Sequence, residues 1–248
     1  MEKDKIIKSV ICHLQDEWAT CLIGGEPAPS AVKTGAQTSL KYNVPLNTPL
    51  QQLPDPYPAS EKKEALLRLR NFCVKCRDCR LAESATNLVF GEGNPDAEIV
   101  FVGEAPGETE DLLSRPFVGQ AGKLLTRSLN EFGVYRPEIY ICNVAKHRPP
   151  DNRNPEKDEI AACTPHLAEQ LKIINPKVII AMGKFSAQYL LDTEETISKL
   201  RGRAQKSRFG FLVFPTFHPA YILRNMTAFP DFTRDLETAF GIANGIPR

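Results

Sequence analysis

Chemically active side chains follow three short apolar runs of this 248-residue chain. They comprise two carboxylates after the first run, an amide near the end of the second and an imidazole after the third: Glu104, Glu110, Asn143 and His218. A carboxylate can stabilise a cation or orient water, an amide both donates and accepts hydrogen bonds, and an imidazole can donate to a developing anion. Each residue taken alone is equally typical of a turn or a helix cap. Their combination predicts one catalytic site.

The elements that must position these side chains alternate between apolar runs and helical patterns. We interpret four apolar runs as buried strands: residues 99–102, 139–144, 178–182 and 211–214. Helical patterns cover residues 156–174 and 185–191. This alternation is typical of α/β proteins, and we predict a three-layer sandwich with a mostly parallel four-stranded central sheet and helices on both faces. In such a sheet ligands bind beyond the carboxyl ends of the strands, where the three loops lie.

The first 60 residues differ in composition from the rest of the chain. Residues 4–23 carry apolar side chains at helical spacing, which predicts a short amphipathic helix. Residues 24–60 contain many Pro, Gly, Ser and Thr residues without sustained periodicity, which is typical of a linker. We therefore expect an N-terminal helix and linker over residues 1–60 and one folded domain over residues 61–248.

Composition and charge restrict the class of protein. The chain is 42% hydrophobic and 25% charged, as is ordinary for a globular protein, and its net charge of +1 gives no general attraction to nucleic acid. It has neither an apolar run of about 18 residues nor a secretory leader, so we expect no membrane span and a cytoplasmic location. Seven cysteines, an odd number, favour reduced thiols or metal ligands over a disulfide framework.

Four motifs, in one order along the chain, carry a resemblance to a known family. They are Gly103-Glu-Ala-Pro-Gly107 with Glu110-Asp111, Arg115-Pro-Phe-Val-Gly119 with Ala121-Gly122, Asn143 with Val144-Ala-Lys-His-Arg-Pro-Pro150, and His218-Pro-Ala-Tyr-Ile-Leu-Arg224. In this order and at this spacing they resemble the family 4 uracil-DNA glycosylases, over a stretch from about Cys76 to Phe240. The resemblance implies an enzyme of base excision repair that hydrolyses the N-glycosidic bond of uracil in DNA and leaves an abasic site.

The resemblance also implies roles for three residues that would contact the base. His218 is expected to donate to the uracil carbonyl on which negative charge develops. Asn143 is expected to read the amide edge of uracil, which rejects cytosine because donor and acceptor are exchanged there. Phe117 is expected to stack on the extruded base.

The carboxylates of the first loop have no single role assigned by the resemblance. Glu104 and Glu110 correspond to family carboxylates that orient water, stabilise the cationic sugar or shape the pocket, and the sequence leaves these three roles open. Ala105 stands where some other uracil glycosylases have an aspartate that positions water. A carboxylate general base is therefore not implied at that position.

Contact with DNA is expected from the residues that follow His218 and from basic side chains. A base must leave the helix before it can be cleaved, and residues 221–224 resemble the family's wedge segment, in which Tyr221, Leu223 and Arg224 hold the gap open. Phosphate contacts are expected from eight residues: Lys123, Arg127, Arg148, Arg153, Arg201, Arg203, Lys206 and Arg208. The expected partner is uracil-containing DNA, single- or double-stranded, and the expected state is a monomer.

Members of the family hold an iron–sulfur cluster with four cysteines, and this chain matches three of them. Cys76 and Cys79 form the Cys-x-x-Cys pair, and Cys163 matches the last ligand. His147 stands where the remaining cysteine is expected, and histidine can replace cysteine on iron, as in Rieske centres. The resemblance therefore implies a 4Fe-4S cluster on Cys76, Cys79, His147 and Cys163, with Cys73 as the alternative fourth ligand.

Two other functions stay open at the level of sequence. A protein that has lost turnover, or that reacts covalently, would bind uracil-containing DNA without releasing the base, and a nucleoside hydrolase would act on free nucleosides. The joint presence of Phe117, Asn143, His218 and the wedge segment favours a glycosylase over both.

Overall fold

A computed structural model of the chain describes residues 57–245, and its centre is one six-stranded sheet. The strands are β1 (Glu92–Gly93), β2 (Ile99–Gly103), β3 (Tyr140–Asn143), β4 (Val178–Met182), β5 (Gln205–Lys206) and β6 (Leu212–Thr216). Their order across the sheet is β1-β3-β2-β4-β6-β5. The four inner strands are parallel, whereas β1 and β5 pair antiparallel with β3 and β6 at the two edges.

The predicted α/β fold is confirmed, and the predicted number of strands is corrected. The four apolar runs form the four parallel strands, to within two residues at each end. The two strands that the sequence analysis missed, β1 and β5, are two residues long, and a run of that length has no alternation to detect. They extend the sheet from four to six strands and leave its parallel centre unchanged.

Nine α-helices accompany the sheet within the described residues. They are α1 (Ala59–Cys73), α2 (Leu81–Ser84), α3 (Glu108–Leu113), α4 (Gln120–Glu131), α5 (Lys157–Ile174), α6 (Lys184–Leu191), α7 (Ile197–Leu200), α8 (Pro219–Arg224) and α9 (Phe229–Ala243). Helix α5 shows how local sequence sets the ends: the Glu159 carboxylate accepts from the Glu156 amide at 2.7 Å, and Asn175 ends the helix at φ +50°.

Helices cover both faces of the sheet, as a three-layer sandwich requires. Alternate residues such as Val100 and Val102 join a buried cluster with side chains of α1, α5 and α6. Phe101, between them, points to the opposite face, where its ring lies 6.5 Å from that of Phe240 on α9. Each large apolar side chain that is buried in this way stabilises the fold by about 1.5–3 kcal/mol.

The register of the parallel strands brings the predicted loops together. Gly103, the last residue of β2, lies opposite Asn143, the last residue of β3. Met182 at the end of β4 lies opposite Thr216 at the end of β6. The loops after all four parallel strands therefore begin at one edge of the sheet.

The described residues all belong to one compact unit, Val44–Arg248. Its first helix begins at Ala59, two residues before the predicted start of the domain at residue 61. The amphipathic helix predicted over residues 4–23 and most of the predicted linker lie outside the described residues, so that part of the domain division stays a prediction. None of the helices in residues 57–245 combines the length and the apolar character that crossing a bilayer requires.

Candidate active site

A cavity of about 470 Å³ lies at the carboxyl ends of β2, β3, β4 and β6. Its volume is typical of sites for small ligands, which enclose about 300–1,000 Å³. Of the residues that the sequence analysis places at the substrate, eight line this cavity: Glu104, Ala105, Glu110, Phe117, Asn143, His218, Tyr221 and Arg224. Leu223 of the predicted wedge does not line it.

Asn143 presents an unpaired acceptor at the base of the cavity. The residue is 1% exposed, and its Oδ1 atom has no hydrogen-bond partner within residues 57–245. Its backbone is fixed, because its carbonyl accepts from the Lys146 ammonium at 2.7 Å. A buried acceptor without a partner costs about 1–3 kcal/mol. A ligand that donates an N–H group there would remove that cost.

His218 is a neutral donor in the same cavity. Its Nδ1 atom accepts from the Ala220 amide at 3.1 Å at the start of α8, which leaves the proton of the neutral ring on Nε2. Burial lowers the pKa of His218 to about 4, and the positive charge of Arg224 acts in the same direction. The imidazole is therefore uncharged at neutral pH and presents Nε2–H as a donor.

Phe117 forms an aromatic wall of the cavity in an unusual backbone conformation. The residue is 6% exposed, and its ring centroid lies 5.5 Å from that of His218. Its φ angle is +52°, the left-handed region, which costs a residue with a side chain about 1–2 kcal/mol. This strained conformation persists because neighbouring groups hold it.

The two loop carboxylates differ in what they bind. Oε1 of Glu110 accepts from the amides of Val118 and Gly119, at 3.0 and 2.7 Å, so this side chain holds the loop that carries Phe117. The carboxyl group of Glu104 has no such partner among the described residues, and burial raises its pKa to about 7. Glu104 is therefore the loop carboxyl group that is available to a ligand, and its charge changes near neutral pH.

Basic side chains at the rim of the cavity include one that the sequence analysis missed. Lys184 lines the cavity from the residues that follow β4. The sequence could have indicated Lys184, because this residue follows a predicted strand, β4, that ends at the same edge as the strands before the predicted loops. Arg224 and Tyr221 line the cavity from α8, and both are exposed.

Not all of the basic residues expected at phosphates are free to reach them. Arg153 lines the cavity and binds the buried carboxylate of Glu159 through two hydrogen bonds of 2.6 and 2.8 Å. Arg201 binds Asp235 in the same two-pronged way, at 2.8 and 2.9 Å, and lies over the ring of Phe217. Arg201 is thus committed to the interior of the fold.

The predicted cluster ligands line a second, smaller cavity. The residues are Cys76, Cys79, His147 and Cys163, together with Cys73, Lys146 and His166. The Cys163 thiol donates to Cys79, which lowers the pKa of Cys79 to about 6. Since thiolates are the metal-binding form of cysteine, three converging thiols with an imidazole are chemically suited to an iron–sulfur cluster. The residues present therefore fit the group that the resemblance implies.

His166 is a member of this cavity that the sequence analysis did not single out. Its Nε2 atom lies 3.5 Å from the Cys76 thiol, and its ring lies 5.8 Å from that of Phe72. The signal was its position three residues after Cys163 in a helix, which places both on one face. Cys142, by contrast, is fully buried in β3 and does not line this cavity.

Comparisons with known proteins give one consistent result. Residues 90–239 match the model of the uracil DNA glycosylase superfamily. The chain is 52% identical to a type-4 uracil-DNA glycosylase of Thermotoga maritima, over 66% of this chain and 86% of that protein. It is 48% identical to one of Saccharolobus solfataricus, over 67% and 79%. It is 44% identical to one of Sulfurisphaera tokodaii, over 71% and 82%.

The environment of Glu104 gives a prediction for stability. Burial raises the pKa of this carboxyl group from its ordinary value of 4.5 to about 7. As the pH rises through that range, the unfolded chain loses the proton before the folded chain does, so the fold loses stability. We expect Glu104→Gln, which cannot ionise, to raise the free energy of unfolding at about pH 8 and to change it little at about pH 4.

Urea denaturation at the two pH values measures this difference. Glu83→Gln is the matched control, because it makes the same substitution at an exposed position on α2, outside the cavity. A gain for Glu104→Gln of equal size at both pH values would contradict the prediction.

Proposed function

The chain belongs to the uracil DNA glycosylase superfamily and, within it, to the type-4 enzymes, and we propose that its two cavities are the uracil pocket and the cluster site. It is a monofunctional DNA glycosylase of base excision repair, which hydrolyses the N-glycosidic bond of uracil in DNA. The observation that carries the pocket assignment is the pairing of a buried acceptor, Asn143, with a neutral donor, His218, beside the ring of Phe117.

Specificity follows from the hydrogen-bonding edge that Asn143 offers. Uracil has an N–H group between two carbonyls, so it can donate to Oδ1 of Asn143 while the amide nitrogen donates to a carbonyl. Cytosine has an unprotonated ring nitrogen at that position and would leave Oδ1 buried and unpaired. A site built for a hydrogen bond rejects such an analogue strongly, because its own polar group is then left without a partner.

Stabilisation of the leaving group is the role we assign to His218. Cleavage leaves negative charge on the uracil oxygens, and a donor that is already oriented stabilises that charge without reorganisation. The hydrogen bond from the Ala220 amide fixes the imidazole with Nε2–H free to donate. Because the ring is neutral near pH 7, it donates this hydrogen bond without placing a positive charge in the pocket.

We assign to Glu104 the stabilisation of the positive charge that develops on the deoxyribose. The deoxyribose becomes oxocarbenium-like as the bond breaks, and an ionised carboxylate in a poorly solvated cavity stabilises such a cation. Glu110 is bound to the Phe117 loop, and Ala105 has no polar side chain, so neither is assigned to this step. Glu110 then acts by holding the loop in place.

Access to the base is the role we assign to α8. Tyr221 and Arg224 are exposed on this helix, which begins directly after His218, and Leu223 is half-buried between them. A wedge here would enter the space that the extruded base vacates, next to the pocket that receives it. We propose that the protein acts as a monomer, with all of the described cavity residues on one chain. We further propose that it acts in the cytoplasm, on single- or double-stranded DNA.

Cys76, Cys79, His147 and Cys163 are the residues we assign to a 4Fe-4S cluster. A bound cluster supplies a covalent cross-link between distant parts of the chain. It would join the segment between α1 and α2 to α5 and to the loop after β3. That loop follows Asn143 directly, so the cross-link would hold the backbone at the base of the uracil pocket.

The first experiment tests excision and the role of His218 together. Wild-type protein should release free uracil from a uracil-containing oligonucleotide and leave alkali-labile abasic sites. His218→Ala should lower the single-turnover rate about 10²-fold or more, because the oriented donor to the leaving anion is gone. Its affinity for the oligonucleotide, measured by fluorescence anisotropy, is the control and should change much less. Unchanged turnover in His218→Ala would remove this residue from the mechanism.

The second experiment tests the edge that Asn143 reads. Asn143→Asp places an acceptor where the amide nitrogen donated, so cytosine's amine can be received and the preference for uracil over cytosine should fall at least about tenfold. Asn143→Ala is the matched control, since it should lose uracil excision without gaining cytosine excision. Excision rates on two oligonucleotides that differ only in uracil or cytosine give the ratio of uracil to cytosine excision. If Asn143→Asp leaves that ratio unaltered, Asn143 does not read the hydrogen-bonding edge of the base.

The third experiment tests the cluster ligands. Protein purified without oxygen should contain about four irons per chain, the number in a cubane cluster. His147→Cys should retain the iron, and His147→Ala should lose it or release it faster on exposure to air. Cys73→Ser and His166→Phe are the controls and should retain it. Iron analysis and visible absorption measure cluster content. If a control variant lost its iron while His147→Ala kept it, the fourth ligand would be the residue changed in that control and not His147.

A further inference from the structure

The backbone at Phe117 is held by two side chains of opposite charge. On one side, Glu110 accepts from the amides of Val118 and Gly119. On the other side, Arg136 donates through Nη1 to the carbonyl of Phe117 at 3.0 Å and through Nη2 to that of Pro116 at 2.8 Å. Four backbone polar groups around the strained residue are therefore bound: the carbonyls of Pro116 and Phe117 and the amides of Val118 and Gly119.

Arg136 is itself fixed in place. Its Nη2 atom donates to Glu92 at 2.6 Å, and its Nη1 atom lies 3.3 Å from the hydroxyl of Thr126. The side chain is 17% exposed, so these bonds are shielded from most of the solvent. Glu92 also binds Arg115, at 2.8 and 3.1 Å, but the Arg115 side chain is 58% exposed.

Helix α4 restricts the same carbonyl from another direction. A Cβ atom on Gly122 would lie 1.9 Å from the carbonyl oxygen of Phe117, so only glycine allows this approach. The close approach of α4 and the hydrogen bond from Arg136 therefore both restrict the position of this carbonyl. Because Arg136 also binds the carbonyl of Pro116, both peptide groups that flank Phe117 are held, and together they set its φ angle of +52° and the direction of its ring.

We propose that Arg136, held by Glu92, is a positioning residue that sets the ring of Phe117 for stacking on uracil. The inference rests on the uracil pocket of the proposed function, since it gives a further residue for the same site. A planar guanidinium suits this arrangement, because the donors on its separate nitrogens form a rigid fork that reaches two adjacent carbonyls and a carboxylate. Lysine has a single nitrogen and can replace part of this arrangement only.

The test measures binding of free uracil, which needs the pocket and no DNA contact. The inhibition constant of uracil should rise about tenfold in Arg136→Met, the scale of a partly lost stack of a base on an aromatic ring. It should rise less in Arg136→Lys, which keeps the charge and the donors of a single nitrogen. Arg115→Met is the matched control: it removes the other arginine bound to Glu92 and should change the constant less than about twofold.

A double-mutant cycle with Phe117→Ala separates positioning from general destabilisation. If Arg136 acts through the ring, Arg136→Met should add less than about twofold when the ring is already absent. The proposal would be overturned if Arg136→Met raised the inhibition constant tenfold both with and without the Phe117 ring. An unchanged inhibition constant in Arg136→Met would overturn it as well. Failure of wild-type protein to excise uracil would instead refute the proposed function.

Discussion

The absence of a side chain at Gly103 is the constraint on which the candidate site depends. A Cβ atom there would lie 2.4 Å from Oδ1 of Asn143 and 2.5 Å from the ring of Phe117. The residue that ends β2 therefore leaves the space in which the amide and the aromatic ring come together. The parallel register with β3 is what brings Asn143 opposite this glycine. Sheet pairing and pocket geometry are thus fixed by the same two residues.

Burial explains why this cavity suits the neutral base that we propose as its ligand. It keeps His218 uncharged and raises the pKa of Glu104 to about 7, so charge is costly in the cavity before the reaction. In the same poorly solvated cavity, oriented donors and carboxylates interact strongly with charges that develop as the bond breaks. In the proposed mechanism, the pocket therefore distinguishes the transition state from the ground state by charge, which is the difference that catalysis requires.

Sequence periodicity was sufficient to predict the regular elements of the fold. Apolar runs of four or more residues predicted the parallel strands, and strand-end position predicted that Glu104, Asn143 and His218 would lie together. Tertiary contacts were not predictable in this way. Arg136 and Glu92 lie far apart in sequence and meet only because β1 pairs with β3, and the strain at Phe117 has no signature in residue type.

The loop after β3 connects the two cavities through a buried charge. Lys146 is 1% exposed, lines the cysteine cavity and donates to the carbonyl of Asn143 and to Gln170. Gln170 continues the chain of hydrogen bonds to the carbonyl of Phe90. A buried ammonium is costly unless it is fully bonded, so the loop cannot shift without breaking these contacts. One buried side chain, Lys146, therefore joins the lining of the cysteine cavity to the backbone of Asn143 in the other cavity.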